Sequence, residues 1–306
     1  MIDVIAGYHL NYLTCGVARF NRNFATSLNV QVEYFEDISF DKQTLLSIKL
    51  SEFDKLSLDT LVTWCGDRIG RYDLMLHGLS LSETEAVIIQ NARRVFACNN
   101  ADYQTLKSIR SDGLLRGFCP THQKSMLSNN SSSGLRILSF GMAHKLFESH
   151  YYSLRQKLEE SKQNYQIRFS AAVHEGYDFE ESFLQMEKKV QNIFGEHGFF
   201  LGFLSDDALI QELHQSDFFA AFFREGYREN NTSANTAFAS GCCLLTNVDA
   251  LSPKWLVHGN NFLNLTEATF DNMTSKEFSK IGVLGKKVSE MHISWPKLVS
   301  LVLENK

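Results

Sequence analysis

Three features of the sequence predict an α/β protein built from two Rossmann-like domains. The chain has 306 residues, more than one hydrophobic core usually organises. Short apolar runs alternate with longer amphipathic stretches from end to end, the pattern of parallel sheets covered by helices. The alternation breaks once, at residues 121–134, a Ser/Asn/Gly-rich stretch. Such a stretch buries little and has the composition of an interdomain link. The expected domains are therefore 1–125 and 126–291.

In the first domain, strands are expected at Asp3–Ala6, Val30–Phe35, Thr60–Trp64, Leu74–Leu76, Val95–Ala97 and Leu114–Phe118. Val17–Leu28 places Val17, Phe20, Phe24 and Leu28 close to helical spacing. Ser82–Ala92 opens on Ser82 with Glu85 three residues on, a capping-box signal. Ala101–Ile109 follows Asn99 and Asn100, either of which can cap it. In the second domain, strands are expected at Leu135–Phe140, Gln166–Ala172, Phe199–Leu201, Phe218–Phe222 and Cys243–Thr246, with helices near 147–161, 179–194 and 206–215.

Composition narrows the classes of partner. A net charge of −5 gives no sign of the basic face that nucleic-acid binding needs. The six cysteines are scattered without C-x-x-C spacing, which reads as buried thiols of a reducing, cytoplasmic compartment. The chain enters a strand pattern at Ile2, so no signal peptide is expected. No apolar run is long enough to span a bilayer; attachment to the inner face of a membrane stays open. No zinc spacing, Walker loop or G-x-S-x-G elbow occurs, and no metal or cofactor is expected.

The richest stretch runs from Asp217 to Thr246, DFFAAFFREGYRENNTSANTAFASGCCLLT. A Phe-rich buried strand leads into a polar loop, 224–233. A helix of small residues follows, closed by Gly241, and then the next strand. That order puts the loop at the carboxyl edge of the sheet, where open α/β folds bind ligands. Backbone amides of Asn231, Thr232 and Ser233, at the positive end of a helix dipole, can hold a diphosphate. The same residues also serve as ordinary caps of a core helix. Arg228 and Asn230 lie in the same loop as further candidate donor contacts. Lys145, after the strand Leu135–Phe140 and a turn beginning at Gly141, can neutralise phosphate charge. His77 ends the strand Asp73–Leu76 and can donate to a substrate hydroxyl or move a proton; a histidine bonded to a nearby loop explains it equally well. The loop after the first strand carries Gly7 and Gly16 but matches no strict phosphate-binding fingerprint.

These features resemble, in their order along the chain, the retaining glycosyltransferases of the GT-B fold, the glycogen-synthase-like group. Phe199 to Phe223, FFLGFLSDDALIQELHQSDFFAAFF, is similar to that family's Gly-Phe, Ser-Asp-Asp, helix, Ser-Asp-strand sequence. Ala237-Phe238-Ala239-Ser240-Gly241 resembles its E-A-M-A-x-G stretch, and Val257–Phe262 its G-x-N-G turn. Ser294-Trp295 resembles the opening of its closing helix, which implies that about 292–306 returns to the first domain. Gly16-Val17 is similar to its G-G-V helix start.

The resemblance implies two lobes facing across a cleft, with a nucleotide sugar held by the C-terminal one. It places His77 by the transferred sugar and Lys145 on the donor's β-phosphate. Glu225 or Glu229 stands for the first glutamate of an E-x7-E motif, and the Asn231–Ser233 amides hold the diphosphate. Thr236 takes the place of the second glutamate, so ribose binding must be arranged differently. The implied activity is metal-independent, retaining transfer of a hexose, glucose from UDP-glucose or a close relative, to a saccharide or lipid-linked acceptor in polysaccharide or glycoconjugate biosynthesis. Two rivals stay open: a degenerate relative that binds a nucleotide sugar without turnover, and a nucleotide-sugar epimerase.

Overall fold

The computed structural model describes residues 2–121, 134–143, 146–172, 178–271 and 273–304. The chain divides into two compact units, Met1–Thr121 with Arg228–Thr232 and Ile293–Lys306, and His122–Tyr227 with Ser233–His292. The polar stretch at 122–133, read as a link, lies outside the described residues.

The first unit contains β1 (Val4–Gly7), α1 (Gly16–Leu28), β2 (Gln31–Tyr34), β3 (Thr44–Ile48), α2 (Lys55–Asp67), β4 (Tyr72–Leu76), α3 (Glu83–Asn91), β5 (Arg94–Ala97), α4 (Asn100–Leu106) and β6 (Leu114–Arg116). Its strands form one parallel sheet in the order β2-β1-β3-β4-β5-β6. β1, β3 and β4 are buried along their whole length, as expected where helices cover both faces. Ser82, Asn99 and Asp54 each accept from the backbone N–H three residues on, capping α3, α4 and α2. The C-terminal helix α10 (Trp295–Glu304) also belongs to this unit. It packs on α1 through Trp295, whose ring centroid lies 5.4 Å from Phe20 and 5.8 Å from Phe24.

Two strand assignments change here. Thr60–Trp64 lies inside α2, not in a strand. The Asp54 cap and the spacing of Leu58, Leu61, Val62 and Cys65, which put one face of the segment against the core, outweigh its β-branched and aromatic content. The strand β3 takes its place in the sheet, drawn from Thr44–Ile48.

The second unit contains β7 (Leu135–Met142), α5 (Glu148–Glu160), β8 (Tyr165–Ala172), α6 (Phe179–Phe194), β9 (Gly198–Phe200), α7 (Asp206–His214), β10 (Phe218–Ala220), α8 (Thr232–Ser240), β11 (Cys243–Thr246), β12 (Leu263–Asn264) and α9 (Ser275–His292). The parallel sheet runs β12-β11-β10-β7-β8-β9. Numbered from its own first strand, that order is 6-5-4-1-2-3, the doubly wound Rossmann arrangement. The turn expected from Gly141 is instead the end of β7, where Gly141 and Met142 pair with Ala171 and Ala172. Among the described residues, no helix is long and apolar enough to cross a membrane.

Helix α9 has no counterpart in the sequence reading, and it approaches β11 very closely. A Cβ at Gly282 would overlap the Gly241 carbonyl oxygen and stand 2.8 Å from the Cys243 nitrogen. Both are backbone atoms that cannot rotate away. Gly282→Ala is therefore expected to lower stability by at least the ~1–3 kcal/mol typical of overpacking, read as a fall in the urea midpoint; an unchanged midpoint would contradict this packing.

Candidate donor site

A doubly wound sheet has one natural binding position, at the carboxyl ends of the two neighbouring strands where the winding reverses. In the second unit those strands are β7 and β10, paired through Ile137↔Phe218 and Leu138↔Phe219. β7 ends there in Gly141 and Met142, followed by Ala143, and β10 is followed by the loop from Ala221 to Asn231. Gly141 is exposed, and a Cβ there would meet nothing within 4 Å. Lys145 lies outside the described residues.

The loop after β10 is held rigidly at its start. Phe223 N–H donates to Asn247 Oδ1 at 2.9 Å, and Asn247 Nδ2 returns a bond to the Phe223 carbonyl at 2.7 Å. Tyr227 N–H donates to the Asn247 carbonyl at 2.9 Å. Gly226 has φ +83, and a Cβ there would sit 3.1 Å from the Asp249 nitrogen, so this tight turn requires glycine. The fully buried Tyr227 donates its hydroxyl to Asn235 Oδ1 at 2.6 Å, locking the loop to α8. Glu225 is left exposed on the turn.

Residues Arg228 to Asn231 form a turn of their own. Arg228 N–H donates to Asn231 Oδ1 at 2.6 Å, and Asn231 N–H donates to the Arg228 carbonyl at 2.9 Å. The Asn231 amide is thus engaged by the turn, and the chain continues into the first turn of α8 at Thr232. That turn is built of Thr232, Ser233 and Ala234, with Ser233 half-buried. Short side chains let an anion approach the backbone N–H groups and the positive end of the helix dipole. Thr236 is half-buried one turn further on, in α8. Eight residues before it stands Arg228, itself buried, so the E-x7-E spacing places no glutamate at either end.

In the first unit, Glu229 has a different environment from Glu225. Its carboxylate is buried, ion-paired with the Arg116 guanidinium, and accepts the Asn100 N–H at 3.3 Å. Its carbonyl accepts the Cys119 N–H at 3.1 Å. Asn230 Nδ2 donates to the His77 carbonyl at 3.2 Å. The structure thus brings His77, Glu229 and Asn230 together. Gly16 opens α1; it follows the cap Cys15, and a Cβ there would meet nothing within 4 Å.

His77 is half-buried, and both its ring nitrogens are engaged. Nε2 lies 2.9 Å from Ser47 Oγ and Nδ1 lies 3.4 Å from Cys119 Sγ, while the ring stands edge-on to Phe20. Burial raises the neighbouring Cys98 thiol well above its ordinary value, reinforced by Cys119, so Cys98 is protonated at neutral pH. Asn21, Ser47, Arg116, Cys119 and Asn247 all position candidate groups. No local pattern marks them, because their partners are distant in sequence.

No protein-family model matches the sequence, and no curated protein matches it. Solved structures do. The chain superposes on Anabaena HepE in complex with UDP and glucose at a TM-score of 0.69 and 10% identity, covering 99% of both chains. The fold is GT-B. The GT-B match extends to sucrose-phosphate synthase from Thermosynechococcus elongatus at a TM-score of 0.62 and 13% identity, over 85% of this chain and 72% of that one. It also extends to a glycosyltransferase from Rickettsia africae at 0.58 and 9%, over 99% and 97%. At such identities the likeness is one of fold.

Proposed function

We propose that the protein is a glycosyltransferase that moves a hexose, glucose from UDP-glucose or a close relative, with retention and without a metal, to a saccharide or lipid-linked acceptor. The observation that carries this reading is the first turn of α8, lined by small residues, at the winding reversal of the second sheet. Support comes from HepE, crystallised with UDP and glucose and with UDP-glucose, which shares the fold over nearly its whole length.

In this reading the α8 amides and Lys145 stabilise the departing diphosphate, the main catalytic contribution such a site offers. Glu225, exposed on the turn, orients the sugar; Glu229 is committed to Arg116 and serves as a structural anchor. His77 keeps the role beside the transferred sugar that the resemblance implies, its ring fixed by Ser47 and Cys119. Thr236 offers a hydroxyl to the ribose where the family has a carboxylate, and Gly141 leaves room for the donor. The acceptor side would function at a cytoplasmic membrane face or in solution.

The buried Glu229 ion pair and the absence of a glutamate at Thr236 favour a second reading, a protein that binds a nucleotide sugar without turning it over. One experiment separates the two. Calorimetric titration with UDP is expected to show binding, and incubation with radiolabelled UDP-glucose to release UDP slowly even without acceptor. Binding with no hydrolysis, and no transfer across an acceptor panel, would establish the second reading. No heat with any nucleoside diphosphate would exclude both.

A further inference from the structure

At the carboxyl end of the first sheet, three side chains from separate segments converge: His77 after β4, Cys98 after β5 and Cys119 after β6. A ring nitrogen of His77 and the two sulfur atoms all lie within 4.8 Å of one another, and both cysteines are buried. The segments are far apart in sequence, so no metal-binding spacing announces the cluster.

The hydrogen bonds behind His77 fix which nitrogen faces the sulfurs. Asn21 Nδ2 donates to the Ser47 carbonyl at 3.0 Å, which fixes the orientation of the buried amide, since its oxygen there would oppose another acceptor. Asn21 Oδ1 then accepts the Ser47 hydroxyl proton at 2.6 Å. With its proton committed, Ser47 Oγ can only accept from His77, so Nε2 carries the hydrogen. The Nδ1 lone pair therefore points at Cys119 Sγ, 3.4 Å away. A histidine whose second nitrogen donates to an oriented polar group is the usual arrangement at a metal.

We infer that His77, Cys98 and Cys119 form a binding site for a zinc(II) ion, with a water as its fourth donor. A tetrahedral ion with ordinary bond lengths to nitrogen and sulfur has a nitrogen–sulfur edge of about 3.5 Å and a sulfur–sulfur edge of about 3.8 Å. The nitrogen–sulfur separation to Cys119 nearly equals the first; the edge from His77 to Cys98 and the sulfur–sulfur edge, each at most 4.8 Å, must close by no more than about 1.3 and 1 Å. Binding displaces one proton from each thiol to solvent. Two thiolates and a neutral imidazole then cancel the double charge, which lets the ion sit in a buried place. The donors are soft, which excludes the magnesium or calcium that would serve a diphosphate. The ion would tie together the ends of three adjacent strands. It would also stiffen the Arg228–Thr232 segment, because Cys119 N–H holds Glu229 and the His77 carbonyl holds Asn230. The ion would be structural rather than catalytic; it shares His77 with the nucleotide-sugar reading but does not depend on that reading.

The test uses the full, reduced, chelator-treated chain. Titration with zinc against a chromophoric chelator is expected to show one equivalent bound. Substitution with cobalt(II) is expected to give a thiolate charge-transfer band and the strong visible bands of a four-coordinate ion. Cys98→Ser and Cys119→Ser should each weaken zinc binding at least ten-fold, while Cys65→Ser, elsewhere in the same unit, should not. The cobalt spectrum of the unsubstituted chain decides the matter even if a serine variant fails to fold. No stoichiometric zinc, a cobalt spectrum without thiolate bands, or wild-type affinity in both serine variants would overturn the proposal. A Cys98–Cys119 disulfide in the reduced preparation would do the same.

Discussion

Replacing Asp73 by alanine is expected to cost about 3 kcal/mol of stability, the lower end of what removing one partner from a buried ion pair costs. Asp73 is the second residue of β4 and has no exposed surface. It accepts from Arg93 Nε and Nη2 at 3.0 and 2.8 Å, and from Arg94 Nε at 3.1 Å. Arg94 is only 12% exposed and would be left as a charge without its carboxylate; Arg93, at 45%, keeps much of its hydration, which limits its share. The same cluster sets a dependence on pH. Burial alone would raise the Asp73 carboxyl, but the hydrogen bonds from Arg94 and Arg93 outweigh it and hold the group below its ordinary value. A carboxyl depressed in the folded state contributes stability that is fully present above the unfolded pKa of about 3.9 and is lost as pH falls through the folded one. Urea midpoints of the two chains should therefore differ most near neutrality and converge in strong acid. A constant gap across that range would contradict the assignment.

Much of the fold was legible because its elements are local. The caps Ser82 and Asn99 mark α3 and α4 in the sequence and make the expected bonds. The strand–loop–helix–strand order from Asp217 to Thr246 appears as β10, α8 and β11. Errors arose where local content and tertiary burial pull apart. Thr60–Trp64 has the composition of a strand, yet one face of it packs on the core as part of α2. Helix α9 presents glycine rather than a large residue where it meets β11, so a hydrophobic stripe does not announce that contact.

The candidate site was legible only in part, and for a similar reason. Small residues at a helix start are visible in sequence. The commitment of Glu229 to Arg116, 113 positions away, is not. Neither is the chain from Asn21 through Ser47 and His77 to Cys119, which gathers single residues from four segments. Two glutamates four residues apart looked equivalent until burial separated them, one exposed and one enclosed.

The larger functional effect is expected at Ser233. An aspartate in the first turn of α8 complements the helix dipole, typically by 0.3–1 kcal/mol, so folding should be unharmed or slightly improved. The same carboxylate would stand where a pyrophosphate is to bind, repelling it and covering the amides. Ser233→Asp is thus expected to weaken UDP binding at least ~100-fold, near 2.7 kcal/mol. Ser233→Ala should change it only a few-fold, because the backbone rather than the hydroxyl does the binding. Calorimetric titration of UDP into these two variants and the parent chain is the most direct measurement. Loss of affinity in the aspartate variant alone, with its thermal midpoint retained, is the outcome this account requires. Equal UDP affinity in all three proteins would show that the nucleotide's phosphates bind somewhere other than the start of α8.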